Sequence, residues 1–128
     1  MDEFTIQIPR ERPFSAVADL VVGGIAARHD VTLDVLYDVQ LALDSVLEYD
    51  DADDGEVGIV LRVDGETIEA AVGPLAPPTA AVLEEEAGDG VGLRRLLETT
   101  MDSVTLTERD GSRWVELRRN YTLAARER

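Results

Sequence analysis

The stretch best suited to chemistry is GDGVGLRRLLETTMD, residues 88–102, where Gly88, Gly90 and Gly92 are separated by single residues and run into an apolar helical repeat. Small residues let an anion approach the backbone, the first N–H groups of a helix are unpaired, and Arg94 and Arg95 add positive charge, so the stretch suits phosphate. The same residues also describe a flexible start to a helix, with the arginines facing solvent or the acidic middle of the chain, an exposed pairing worth little. A second candidate is YDDADDGE, residues 49–56, which has the oxygen donors of a hard-cation site. Its spacing departs from the calcium-loop pattern of alternating ligands, central Gly and distant Glu, so a charged solvated turn and no metal are expected. His29 has no second His or Cys to complete a ligand set and is expected in a turn.

Composition removes several mechanisms. Without cysteine there is no disulfide, thiolate nucleophile or sulfur-based metal site, and every one of the 12 basic residues is arginine. A P-loop lysine and a Schiff-base lysine are therefore excluded. Against those 12 stand 27 acidic residues, a formal charge of -15, and between Asp34 and Asp89 the only base is Arg62. Such a surface repels nucleic acid phosphates and favours an electropositive protein partner. Strong acidity without lysine also fits a high-GC genome or a high-salt cytoplasm, where salt screens the carboxylates from one another. The first residues show no basic-then-apolar leader, and no run approaches the roughly 18 apolar residues of a membrane helix. A cytoplasmic protein with no membrane contact is expected.

A chain of 128 residues fits a single domain, 1–128, with one core built from Val, Leu, Ile and Ala. FTIQIP, residues 4–9, alternates Phe4, Ile6 and Ile8 against Thr5 and Gln7, the period of a half-buried strand. Pro13 opens a helix to about Arg28 with a stripe of Phe14, Val17, Val21 and Ile25. Thr32 caps a second helix, 33–48, whose inner side carries Leu36, Val39, Leu43, Val46 and Leu47. Residues 57–63 and 67–73 form strands joined by Asp64-Gly65-Glu66, residues 74–78 are irregular, and 79–86 form a short helix. After the glycines, Leu93, Leu96, Leu97 and Met101 mark a helix. Residues 103–109 and 112–121 then close a hairpin at Asp110-Gly111, with Trp114 expected in the core. Tight hairpins cannot make parallel pairs, so the expected class is α+β: a two-layer sandwich, its mixed, mostly antiparallel sheet covered on one face by helices.

This succession, with LYDVQLALDSVLEYD in the second helix and MDSVTLTERDGSRWVELRR at the end, resembles the histidine-kinase-like (GHKL) ATPase domain. Within it the resemblance is to the small anti-sigma regulatory factors that act as serine-protein kinases on anti-anti-sigma partners. It covers nearly the whole chain in element order and only part of the motifs. The resemblance implies a helix pattern L-A-V-x-E-x-x-x-N, with the Glu activating and the Asn holding magnesium. Here LALDSVLEY puts Ser45 and Tyr49 at those positions. Asp44 and Glu48, the catalytic candidates, each fall one residue early, a rotation of about 100° on a helix. The adenine-reading segment D-x-G-x-G is matched by AAVGPL, residues 70–75, which keeps Gly73 but has Ala71 at the Asp position and Leu75 at the second glycine. The phosphate segment G-x-G-L is matched best, by Gly90, Gly92 and Leu93, followed by Arg94.

Taken with these substitutions, the resemblance implies an anti-sigma-factor-like regulator that binds a sigma factor or an anti-anti-sigma-like protein, with a homodimer suggested by family habit, its ATP chemistry weakened or lost and no cofactor expected. The alternative is an active serine-protein kinase using ATP and magnesium, with Asp44 or Glu48 taking over. A further alternative is a small α+β binding domain with an architectural likeness only.

Overall fold

The computed structural model describes residues 2–9, 15–50, 55–84 and 92–121. Nine elements follow one another: β1 (Asp2–Pro9), α1 (Ser15–Arg28), α2 (Leu33–Tyr49), β2 (Glu56–Val63), β3 (Thr67–Gly73), α3 (Pro77–Glu84), α4 (Leu93–Thr100), β4 (Ser103–Arg109) and β5 (Ser112–Asn120). The strands form one sheet in the order β1-β2-β3-β5-β4, and every neighbouring pair is antiparallel. This is the α+β sandwich expected, with a sheet antiparallel throughout.

Register explains which face the helices cover. Phe4, Leu61, Ala70, Leu117 and Val104 lie opposite one another across the sheet, and Ile6, Ile59, Val72, Val115 and Leu106 form the next row. Because side chains alternate along a strand, these rows share one face, and the helices close over it. Val39, Leu43 and Val46 of α2, Leu83 of α3 and Leu97 of α4 complete the core there. The opposite face is polar. One row across it runs Glu3, Arg62, Glu69, Arg118 and Ser103, with Arg62 Nε 3.1 Å from Glu3 Oε2.

Local chemistry sets the turns. Asp64 Oδ1 accepts from the backbone N–H of Glu66 at 2.7 Å and of Thr67 at 2.8 Å, which closes the β2–β3 hairpin. Those two bonds to its charged form hold the Asp64 carboxyl below the usual range. The β4–β5 turn places both Asp110 and Gly111 at positive φ, the conformation a two-residue hairpin favours. Thr32 caps α2 by accepting from Val35 N–H, as its sequence position implies. His29 lies in the turn that ends α1, its N–H donating to Ala26 O at 3.2 Å.

Three expectations change. The buried side of α1 is Ala18, Val22, Ile25 and Ala26, so the stripe through Val17 and Val21 is one residue out of phase. Both positions suit an apolar helix equally, because almost every residue of SAVADLVVGGIAAR is apolar or small. Helix α3 begins at Pro77 and includes Pro78, inside the stretch expected to be irregular, because prolines in a first turn forgo N–H groups that have no intrahelical partner. Trp114 is half-buried on the sheet face away from the helices, over Gly58 and Gly73, rather than in the main core. Among the described residues, no helix is long and apolar enough to cross a membrane.

Candidate functional site

The residues singled out by sequence lie in different places. Asp44, on α2, lies beside Asp19 of α1. Oδ1 of each is shielded from solvent and accepts no hydrogen bond. Two ionised carboxylates offer each other no donor and repel, so their proximity favours a proton on one of them. Burial, followed by the side-chain contact with Asp19 and the charges of Asp19 and Glu48, pushes the Asp44 carboxyl up to about 7. Burial also raises Asp19. Glu48, one turn further along α2, is exposed.

The positions at which the resemblance places Glu and Asn carry neither chemistry. Ser45 donates its hydroxyl to Leu41 O at 2.7 Å, back along its own helix. Tyr49 is exposed at the end of α2.

Gly73 ends β3, and a Cβ there would point to the outer sheet face, 2.5 Å from the Trp114 ring. Its lack of a side chain is thus accounted for by the indole lying over it. Arg109 also lies over that ring, its guanidinium carbon 5.0 Å from the Trp114 ring centre and Nη2 3.1 Å from Glu116.

Gly92 is the N-cap of α4 in extended conformation and supplies no side-chain cap, while its carbonyl accepts from Leu96 N–H at 3.0 Å. Leu93 is buried against the core. Arg94 turns inward: Nη1 donates to Leu83 O at 2.6 Å, Nη2 to Val104 O at 3.4 Å and Nε to Glu98 at 2.9 Å. One guanidinium therefore ties α4 to the end of α3 and to β4. Gly90, and the Asp51–Asp54 part of the acidic turn, lie outside the described residues. No cluster of three or more metal-ligating side chains occurs among the described residues.

Asp44, Gly73 and Arg94 thus do not converge on one surface. Asp44 meets α1, Gly73 opens onto the far sheet face, and Arg94 is spent on carbonyls of α3 and β4.

Sequence reasoning missed Asp50. Only 6% exposed, it follows α2 and accepts from Ala76 N–H at 2.9 Å and from the Thr79 hydroxyl at 2.8 Å. Its negative charge sits at the start of α3, where unpaired N–H groups favour it, and it locks the end of α2 to the β3–α3 connection. The neighbours are 26 and 29 positions away in sequence, so no local pattern marks it.

Two open clefts of about 350 Å³ each occur among the described residues. One lies at the start of α2, lined by Thr32, Asp34, Asp102, Arg119 and Tyr121; the other lies between α3 and the β4–β5 hairpin, at Leu75, Ala80, Glu84 and Arg113. In the first, Arg119 is held by Asp38 at 3.0 Å and Asp102 at 3.6 Å; in the second, Arg113 pairs with Glu84. In both clefts the arginine is thus taken up by carboxylates of the fold. No protein-family model matches the chain, and no curated protein is significantly similar to it.

Proposed function

We propose that the chain is an anti-sigma-factor-like regulatory domain that works in the cytoplasm by binding a protein partner, with ATP chemistry weakened or lost. The observation that carries this reading is the outer side of the first two helices. There α1 and α2 present Leu20, Leu33, Tyr37 and Leu41 to solvent, while Asp44 and Arg94, two of the side chains that could serve a nucleotide, are turned into the fold. Binding energy for a protein partner comes from apolar area with a polar surround, which that face supplies. The partner class, a sigma factor or an anti-anti-sigma-like protein, follows from the resemblance alone.

The second reading, an ATP-dependent serine-protein kinase, is favoured by the start of α4. No side chain caps it at Gly92, and helix N–H groups there suit phosphate. Incubation with ATP, magnesium and an anti-anti-sigma domain separates the two. The regulatory reading expects no phosphate on the partner serine, and transfer at a kinase-like rate would overturn it.

A further inference from the structure

Helix α1 has almost no polar side. Asp19 and Arg28 are its only charged residues, and while Ala18, Val22, Ile25 and Ala26 enter the core, Ala16, Leu20, Gly24 and Ala27 face outward and are exposed. A helix apolar all round is ordinarily covered on all sides. Leu20 nevertheless has 76% of its surface in solvent.

Helix α2 extends the same surface. Leu33, Tyr37 and Leu41 recur at every fourth residue, so they stack along one side, with exposures of 62%, 59% and 48%. Gln40 Nε2 donates to Asp19 O at 3.1 Å and bridges the two helices, which holds the surface in shape before anything binds. A Cβ added at Gly24 would touch nothing within 4 Å, so the glycine leaves this part of the surface low.

The rim is acidic. Helix α2 carries no base, and of its carboxylates Asp34 and Glu48 are exposed, whereas Asp38 is paired with Arg119 and Asp44 is shielded beside Asp19. The bases near its ends are occupied, Arg28 over the Phe4 ring at 5.9 Å and Arg119 by Asp38 at 3.0 Å. An apolar strip bounded by carboxylates fits an apolar strip bounded by bases. A second copy would bring the same carboxylates against themselves, on chains of charge -15 each, and an anionic membrane would be repelled for the same reason.

We propose that the α1–α2 face docks a basic amphipathic helix of a partner protein, its apolar side on Leu20, Tyr37 and Leu41 and its arginines or lysines toward Asp34 and Glu48. This rests on the protein-binding reading above and gives it a surface and a partner chemistry. Such helix-in-groove docking draws affinity from the apolar anchors and selectivity from the charged rim.

The test uses three labelled peptides and the intact chain: a Leu/Arg amphipathic helix, its Leu/Glu counterpart, and a Gln/Arg peptide with the charge but no apolar side. The expected result is binding of the Leu/Arg peptide alone, with backbone amide shifts confined to α1 and α2. Leu20→Glu and Leu41→Glu, both at exposed positions, should each weaken it by about tenfold or more. Equal binding of the Gln/Arg peptide would overturn the proposal, as would shifts on the open sheet face or a homodimer that Leu20→Glu dissociates. A parallel ATP titration keeps the two levels apart: micromolar nucleotide binding would sink the regulatory reading, whereas failed peptide binding with no nucleotide binding would sink only the docking face.

Discussion

The carboxyls of Asp19 on α1 and Asp44 on α2 lie together between the two helices, Oδ1 of each closed to water and without a hydrogen-bond donor, and burial beside Asp19 raises Asp44 to about 7. Their proximity ties the packing of α1 against α2, the two helices that share the exposed apolar face, to the protonation of one carboxyl.

The sign of the resulting pH dependence follows from the raised value. The folded chain keeps a proton that the unfolded chain releases, so stability falls as pH climbs from about 4 through about 7. Asp44→Asn supplies a permanent donor to Asp19 and removes the titration. It should be near neutral at pH 5 and stabilising at pH 8, by roughly 1 kcal/mol once solvent screening of this partly exposed pair is allowed for. Urea unfolding at the two pH values checks this, and parallel profiles for variant and parent would contradict it.

Asp50→Ala leaves the Ala76 N–H and the buried Thr79 hydroxyl without their acceptor. A loss of about 1–3 kcal/mol is expected, most of it recovered in Asp50→Asn, which keeps an acceptor oxygen. Amide exchange should quicken first in α3. Uniform acceleration across the chain would instead place Asp50 in the global core.

Gly73→Ala puts a methyl group 2.5 Å from the Trp114 ring, whereas Gly58→Ala meets the ring's far edge at 3.2 Å and Gly73 O at 3.4 Å. The first should cost about 1–3 kcal/mol and shift the indole emission, and the second less. Combining Gly73→Ala with Trp114→Leu should recover part of the loss, a coupling that a double-mutant cycle measures. Strict additivity would show that the glycine serves something other than the ring.

Arg94 distinguishes a staple from a phosphate ligand. Arg94→Gln should destabilise by about 1–2 kcal/mol, because two backbone carbonyls lose a charged donor, and should leave any weak affinity for inorganic phosphate unchanged. Stability equal to the parent with lost phosphate binding would reverse that assignment.

The sheet was legible because its signals are local. Alternation in FTIQIP marks a strand, and the Asp-Gly turns at 64–65 and 110–111 each fix a strand pair, without reference to distant residues. Helix α2 was legible from its stripe, with Val39, Leu43 and Val46 buried as their spacing requires. Helix α1 was not, since a helix apolar on every side gives no phase; the same ambiguity that put Val17 inward is the exposed apolar face itself. The candidate site was less legible still. Asp50, the Trp114–Gly73 contact and the inward turn of Arg94 join residues far apart in sequence, and motif letters alone do not show that a guanidinium is taken up by carbonyls.

Calorimetric titration of the folded chain with ATP, with and without magnesium and at moderate and high salt, tests the central claim most directly. No binding heat is expected at submillimolar nucleotide while the protein remains folded at both salt levels. Magnesium-dependent micromolar binding would contradict it, and would restore Ser45, Tyr49 and Ala71 as working variations in a nucleotide site rather than losses.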